Sequence, residues 1–150
     1  MSFREVKCIR FKRIHIRPGT DDKAGHWWFE IGDPTTPMSE SFGWWPAEVL
    51  SYPKVFLGVE GCLNGGRSKN NPYRDPHHAE SADEEFFPLV KVDDVRTDKQ
   101  IADCLRYFAL NYHGSWQWFI GWGQNCHNFQ RAALQHCELI VSKSVQRVKL

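Results

Sequence analysis

The stretch HWWFEI at His26–Ile31 predicts a β-strand, and the arrangement of the rest of the chain follows from it. Successive side chains of a strand point to opposite faces. One face of this strand carries His26 and Glu30 together with an indole, Trp28. The other face is entirely apolar and consists of Trp27, Phe29 and Ile31. We therefore expect the apolar face to lie on the core and the face with His26 to be available for chemistry.

Two neighbouring segments predict strands that pair with HWWFEI. Residues 4–17 mix β-branched, aromatic and basic side chains and end at a Pro-Gly turn. Residues 39–45 form a further strand-like run that stops at Pro46, and a proline-containing turn at 33–37 connects it to HWWFEI. Three strands joined in this way predict an antiparallel meander.

The second half of the chain predicts two helices. Thr97 and Gln100 have the spacing of a capping box, and apolar side chains recur at helical intervals as far as Tyr112. This helix should stop at His113-Gly114. A second helix is predicted from about Cys126 to Leu139. Together with the meander, these elements predict an α+β fold in which an antiparallel sheet packs against two or more helices.

The remaining segments carry weaker patterns. From residue 58 to 85 the chain is rich in glycine, asparagine, proline and charge, which predicts a long polar loop with a functional or mobile role. Residues 86–92 predict a returning strand, and 142–150 an edge strand or a frayed end. The length of 150 residues is that of one domain, so we expect a single domain over 1–150.

Composition limits the classes of partner. Lys and Arg total 19 against 18 for Asp and Glu, a formal net charge of +1, which argues against nucleic-acid binding. No run approaches the roughly 18 apolar residues that span a bilayer, and the first residues lack the apolar core of a signal peptide. A cytoplasmic location is the default expectation, and secretion by a machine that needs no cleavable signal is the alternative.

The cysteines favour a reducing compartment. Five cysteines, an odd number with no Cys-x-x-Cys spacing, argue against a disulfide framework and a closed zinc site. Cys104 and Cys137 fall on apolar helix faces, where we expect them to act as small core side chains. His77 and His78 lie among acidic residues, but their irregular spacing favours a solvated segment. We expect no metal and no cofactor.

The run Gly123–Gln130 places Cys126 at the junction of a glycine-containing loop and a helix. A thiol at a helix N-terminus is near the positive end of the helix dipole, which favours the thiolate. Nucleophilic catalysis also needs a base and donors for the oxyanion. We predict His26 as the base, in preference to His127, which should project elsewhere. The predicted oxyanion donors are the Cys126 N–H and the side chain of Gln124, with Gln117 as a substitute.

A third polar group should orient the imidazole of His26. Glu40 is the first choice because its strand follows the His26 strand in a hairpin, and Glu30 is the second. Tryptophans surround both halves of this predicted site. We expect most of the aromatic side chains to fill the core, and we expect a few to line a substrate cleft: Trp28, Trp44 and Trp122.

The order of these motifs resembles the circularly permuted papain-like families related to NlpC-type peptidases. The lecithin:retinol acyltransferase-like proteins and the PPPDE peptidases share a histidine strand that precedes an Asn-Cys-x-x-Phe helix. The matching pieces here are His26-Trp27, Glu40-Ser41-Phe42-Gly43 and Asn125-Cys126-His127-Asn128-Phe129. The resemblance implies that Cys126 is the nucleophile and His26 the base. It leaves the third residue open, since the acyltransferase branch commonly has a histidine there.

The expected function is hydrolysis of a peptide, isopeptide or amide bond through a thioester, with bacterial cell-wall peptide as one specific substrate. The first alternative is acyl transfer or thioester hydrolysis on a lipid by the same pair. The second is a non-catalytic binding module in which tryptophans form a groove for a peptide or glycan. For the enzyme, the expected partners are a peptide-like or acyl substrate and an inhibitory or immunity protein.

Overall fold

The computed structural model describes residues 2–15, 25–46, 59–65, 73–116 and 125–142. In these ranges the chain forms eight strands and two helices. The strands are β1 (Phe3–Glu5), β2 (Ile9–Ile14), β3 (His26–Ile31), β4 (Glu40–Pro46), β5 (Val59–Leu63), β6 (Glu84–Phe86), β7 (Leu89–Lys91) and β8 (Ser115–Trp116). The helices are α1 (Asp98–Asn111) and α2 (Cys126–His136).

The strands form two antiparallel sheets. The larger has the order β6-β2-β3-β4-β5-β8, and β1 pairs with β7 in the smaller. The predicted meander is confirmed as β2-β3-β4, with β3 in its centre. Both helices contribute to the core against the sheet, so the protein has an α+β fold with an antiparallel sheet packed against helices.

A row of phenylalanines explains why β3 lies in the centre. Phe29 is opposite Phe11 on β2 and Phe42 on β4, with ring centroids 5.2 and 5.7 Å away. Phe129 of α2 stacks on Phe29 at 5.8 Å. All four side chains are fully buried, and each contributes roughly 1.5–3 kcal/mol by leaving water. The predicted core face of β3 is thus confirmed at Phe29, where sheet and helix meet.

Side-chain caps fix the beginnings of both helices. The predicted capping box is present: Gln100 N–H donates to Thr97 Oγ1 at 3.2 Å, and Thr97 N–H donates to Gln100 Oε1 at 2.8 Å. In α2, the Asn125 side chain accepts from the N–H groups of His127 and Asn128 at 2.9 and 3.1 Å. Helix α2 ends at His136, earlier than predicted. Neither helix is long and apolar enough to cross a membrane, within the described ranges.

A buried glutamine attaches α2 to the sheet. The side-chain amide of Gln130 donates to the carbonyls of Lys12 and Trp28 at 3.1 and 2.9 Å, and its oxygen accepts from Arg13 Nε at 2.8 Å. Gln130 is fully buried, so its polar atoms need these partners. The bonds hold the first turns of α2 over β2 and β3. Cys126 is therefore held close to the start of β3, where His26 lies.

The prediction of one polar loop over 58–85 is wrong in two respects. Strand β5 lies inside it, and β6 begins at its end. Residues 73–80, which we call the covering segment, lie on the face of the sheet opposite the helices. Ser41 N–H donates to the Tyr73 carbonyl at 2.8 Å, and Ala79 N–H donates to Glu30 Oε2 at 2.7 Å. The polar composition therefore marks a segment that is hydrogen-bonded to the sheet, not a solvated one.

The segment from residue 86 onward also differs from the prediction. The expected single strand is divided between β6, which extends the large sheet, and β7, which pairs with β1. Pro88 separates the two strands, and proline cannot donate a ladder hydrogen bond. Of the end predicted as an edge strand or frayed, only residue 142 is described, so that prediction falls almost entirely outside the described residues.

Two cysteines predicted to be free core thiols form a disulfide. Cys104 of α1 and Cys137, which follows α2, are bonded to each other across a separation of 33 residues. Among the described residues Cys8, Cys62 and Cys126 are free. An odd number of cysteines permits a single bridge, and helical spacing alone does not show which apolar positions face each other across a helix pair. The bridge joins the two helices that cover the core.

Reduction of this disulfide is expected to lower the free energy of unfolding by roughly 3–4 kcal/mol, because it frees a long loop in the unfolded chain. Urea unfolding with and without a reductant measures the change. A Cys104→Ala/Cys137→Ala variant is the control and should unfold at the same urea concentration in both conditions. An unchanged midpoint for the unmodified protein under reduction would show that the bridge does not stabilise the fold.

Candidate active site

Cys126 is the first residue of α2 and is nearly buried, with 6% of its surface exposed. The side chain of Asn125 accepts from the N–H groups of His127 and Asn128, so the Cys126 N–H is not part of this cap. That N–H points out of the helix N-terminus, as the first amides of any helix do. The thiol and a backbone donor therefore lie together at the positive end of the helix dipole.

His26 begins β3 and is held by an aspartate of the covering segment. Its Nε2 lies 2.8 Å from Asp75 Oδ2, and both residues are buried. Because Asp75 engages Nε2, Nδ1 is the ring nitrogen left for the thiol of Cys126. A histidine with a carboxylate on one nitrogen and a thiol on the other has the arrangement of a catalytic base.

The pKa values of this group favour an ion pair. Burial alone would raise the pKa of the Cys126 thiol, but hydrogen bonds and charge from His127 and His26 lower it to about 6. Burial alone would lower the pKa of His26, but the charge and hydrogen bond of Asp75, with smaller contributions from Cys126, raise it to about 10. Both shifts favour the thiolate and the imidazolium over the neutral thiol and imidazole.

Four hydrogen bonds of its carboxylate and its N–H fix Asp75. Its Oδ2 accepts from Trp45 Nε1 at 2.7 Å in addition to His26, and its Oδ1 accepts from the N–H of His77 at 2.8 Å. Its own N–H donates to Ser41 Oγ at 2.7 Å. Burial alone would raise the pKa of Asp75, but the charge and hydrogen bond of His26, with these donors, lower it. The carboxylate thus stays charged despite its burial.

Aromatic rings enclose the imidazole of His26. The ring centroid of Trp45 lies 4.1 Å away, that of His77 5.2 Å and that of Trp28 5.4 Å. Gly43 on β4 leaves space for the contact between His26 and Asp75, because a Cβ at this position would overlap Asp75 Oδ2 and lie 2.8 Å from His26 Nε2. The absence of a side chain at Gly43 and the rings around His26 set the position of its imidazole.

The prediction that Glu40 orients His26 is wrong. Antiparallel pairing puts Glu40 opposite Ile31, at the far end of β3 from His26. Its carboxylate accepts from Arg106 of α1 at 2.6 to 3.0 Å. The second choice, Glu30, also does not reach His26. It accepts from Trp28 Nε1 at 2.9 Å and lies 3.1 Å from Lys12 Nζ.

Asp75 was missed because its contact with His26 joins residues 49 apart in the chain. No periodic pattern encodes such a contact. The unusual polarity of residues 58–85 was a signal, but it could not distinguish Asp75 from the other acidic residues there. His77 and His78, interpreted as solvated, lie beside the site: His77 pairs with Glu80 at 2.9 Å, and His78 Nδ1 lies 2.8 Å from Ser41 Oγ.

His127 and the remaining predicted site residues differ in where they lie. His127, expected to project elsewhere, contacts the thiol of Cys126 and stacks on Trp27 at 4.2 Å. Trp28 lies beside His26 but is fully buried and bonded to Glu30, so it supports the base and does not line an open cleft. Trp44 is a core side chain 6.0 Å from Phe129. Gln117, Trp122 and Gln124 lie outside the described residues.

Comparisons of this chain with protein-family models, with curated proteins and with solved structures gave no match.

Proposed function

We propose that this protein is a cysteine hydrolase that cleaves an amide bond, with Cys126 as nucleophile, His26 as general base and acid, and Asp75 as the residue that orients and charges His26. The single observation that carries the proposal is the buried contact of 2.8 Å between His26 and Asp75, next to a Cys126 thiol whose pKa His127 and His26 lower. This assignment replaces Glu40 and keeps the nucleophile and base of the permuted papain-like resemblance.

The reaction has two halves. The Cys126 thiolate attacks the amide carbon, a C–S bond forms, and the carbonyl oxygen becomes an oxyanion that accepts from the Cys126 N–H. Protonated His26 gives its proton to the nitrogen, the C–N bond breaks and the amine leaves. Water then gives a proton to His26 and adds to the thioester. The C–S bond breaks, which restores the thiolate and releases a carboxylic acid.

An amide is favoured over an ester because of the charge state of the pair. An amine leaves only after its nitrogen has gained a proton, and the high pKa of His26 ensures that the proton is present before attack. A peptide or isopeptide bond is therefore the first substrate class to test. The same thioester could pass its acyl group to a lipid acceptor, which would appear as turnover only in the presence of micelles.

The disulfide supports an oxidising compartment as the place of action. Such bonds persist mainly in secreted and periplasmic proteins. The bridge between Cys104 and Cys137 therefore favours a protein that a secretion machine exports and that acts on cell-wall peptide. It argues against the cytoplasmic location expected from the sequence.

The test begins with alkylation of Cys126 by iodoacetamide as a function of pH. We expect a rate that rises with a midpoint near pH 6, where the thiol ionises. Cys8 and Cys62 are internal controls, because burial raises the pKa of both thiols and their alkylation should need a higher pH. Peptide mapping by mass spectrometry assigns each rate to its cysteine.

The second part measures turnover of a peptide library and of cell-wall peptides in water enriched in oxygen-18. Hydrolysis should add one labelled oxygen to each new carboxylate, and Cys126→Ala should abolish the product. If Cys126 titrates like Cys8 and the Cys126→Ala protein keeps its biological effect, the protein is a binding module and the proposed chemistry is wrong.

A further inference from the structure

A pocket of about 420 Å³ lies beside α2 and β2, and two arginines line it. Arg13 comes from β2 and Arg131 from α2, and their guanidinium carbons lie 3.9 and 5.0 Å from the ring centre of Trp27. Apolar side chains form another part of the lining: Leu134, Leu139 and Ile140. The pocket thus combines two cations with an apolar wall.

Neither arginine has a carboxylate within ion-pair distance in the described ranges. Arg13 is 5% exposed and uses only its Nε, toward Gln130, in the hydrogen bonds of these ranges. Burial lowers the pKa of Arg13 to about 10, Glu84 opposes this from a longer distance, and the positive charge of Arg131 adds to it. Within these ranges neither Nη group of this nearly buried guanidinium has a hydrogen-bond partner, and Arg131 is a second positive charge next to it.

The pocket is connected to the nucleophile through one ring. Trp27 contacts both arginines, and the imidazole of His127, which lowers the pKa of the Cys126 thiol, lies 4.2 Å from the ring of Trp27. The ring of Trp27 therefore lies between the two arginines and the histidine that follows the proposed nucleophile.

We propose that Arg13, Arg131 and Trp27 form a carboxylate-recognition site that binds an acidic group of the peptide substrate. This inference rests on the proposed function and adds the substrate class. The guanidinium fork matches the two oxygens of a carboxylate, and the apolar wall suits the methylene groups of an acidic side chain.

Glutarate is the direct probe of the site. In ¹⁵N-labelled protein, a titration should shift the signals of the Trp27 indole N–H and the Arg13 Nε–H until they saturate. Arg131→Glu should weaken binding about tenfold or more, the loss typical of a charged hydrogen-bonding partner. Lys99→Glu makes the same charge change at an exposed position of α1 and should leave the affinity unchanged. Shifts that do not saturate, or equal affinities in the two variants, would overturn the site.

A pair of peptidyl acyloxymethyl ketones that differ only by Glu or Gln beside the reactive group tests the link to the substrate. The Glu probe should label Cys126 about tenfold faster or more in the unmodified protein. The two probes should react equally with Arg131→Glu. Equal labelling rates for the two probes in the unmodified protein would show that the pocket does not bind a carboxylate of the substrate. The same conclusion would follow if inorganic phosphate bound as tightly as glutarate and Cys126 showed no preference between the probes.

The failures of this inference and of the proposed function are distinguishable. Iodoacetamide carries no carboxylate, so its rate at Cys126 reports the nucleophile alone. Fast alkylation without glutarate binding would contradict the carboxylate-recognition site and would be consistent with the proposed cysteine hydrolase. Saturable glutarate binding to a protein whose Cys126 reacts no faster than Cys8 would reject the hydrolase, and with it the assignment of the bound carboxylate to a substrate.

Discussion

Asp75→Asn is expected to reduce the hydrolytic rate by about a hundredfold or more, the typical contribution of a positioned proton-transfer group. Asparagine has nearly the same size, and its single amide oxygen can accept from Trp45 or from the His77 N–H but not from both. It removes the negative charge beside His26. That charge is the largest cause that raises the pKa of His26. The fold should remain, and the pH dependence should change in a defined direction.

In Asp75→Asn, the pH range in which Cys126 is a thiolate and His26 is protonated should become narrower at both its lower and its upper limit. In the unmodified protein it extends from about 6, where the thiol loses its proton, to about 10, where His26 loses its own. Without the carboxylate, the pKa of His26 falls. The thiol then has a weaker positive neighbour, so the pKa of Cys126 rises. Turnover against pH measures both limits, and iodoacetamide alkylation measures the lower one.

Glu40→Gln is the matched control for Asp75→Asn. It makes the same acid-to-amide change but acts on the ion pair with Arg106, far from His26. It should leave the alkylation profile unchanged and cost at most about 1 kcal/mol of unfolding free energy, as partly exposed ion pairs do. If Glu40→Gln shifts the profile and Asp75→Asn does not, then Glu40 and not Asp75 acts on the base.

Gly43→Ala is expected to reduce the hydrolytic rate at least as strongly as Asp75→Asn does, although glycine has no reactive group. A Cβ at this position would overlap Asp75 Oδ2 and lie 2.8 Å from His26 Nε2, so the carboxylate and the imidazole must separate. Loss of the contact should lower the pKa of His26 and, as in Asp75→Asn, raise that of the thiol. Turnover and the alkylation profile measure the effect.

A double-mutant cycle shows whether Gly43→Ala acts through Asp75. In an Asp75→Ala background the overlapping Oδ2 is absent and Asp75 no longer holds the His26 imidazole in place beside Gly43, so Gly43→Ala should then cost less than a further tenfold. Near-UV circular dichroism should show that each variant retains its tertiary packing. Equal losses in both backgrounds would mean that the added methyl group disturbs the sheet and not the catalytic contact.

The elements predicted best are those whose pattern is local. The bounds of β3 follow from alternation over six residues, and the start of α1 follows from a capping box three residues apart. The meander β2-β3-β4 was predictable because short turns leave adjacent strands few ways to pair. The Asn125-Cys126 junction was recognisable because an N-cap and the first helical residue are neighbours in sequence.

The elements predicted poorly depend on distant pairings. Cys104 and Cys137 have a helical pattern that fits a core side chain and a disulfide equally, and only the packing of α1 on α2 distinguishes these. Strand β5 lies within a stretch whose composition favours a loop, but pairing with β4 outweighs that preference. Trp44 and Trp28 were expected to contact substrate, but the sheet buries both.

Alternation, capping and spacing act over a few residues, so the strand of His26 and the helix that begins at Cys126 were predictable from the sequence, and with them the proposed base and nucleophile. The tertiary structure decided which carboxylate serves His26, because Asp75 reaches it only when residues 73–80 lie across the sheet. It also decided that His127 contacts the thiol and that Arg13 and Arg131 meet at Trp27. The pairing of β2 with β3 and the packing of α2 on them create these contacts. No repeat or residue spacing in the sequence predicts them.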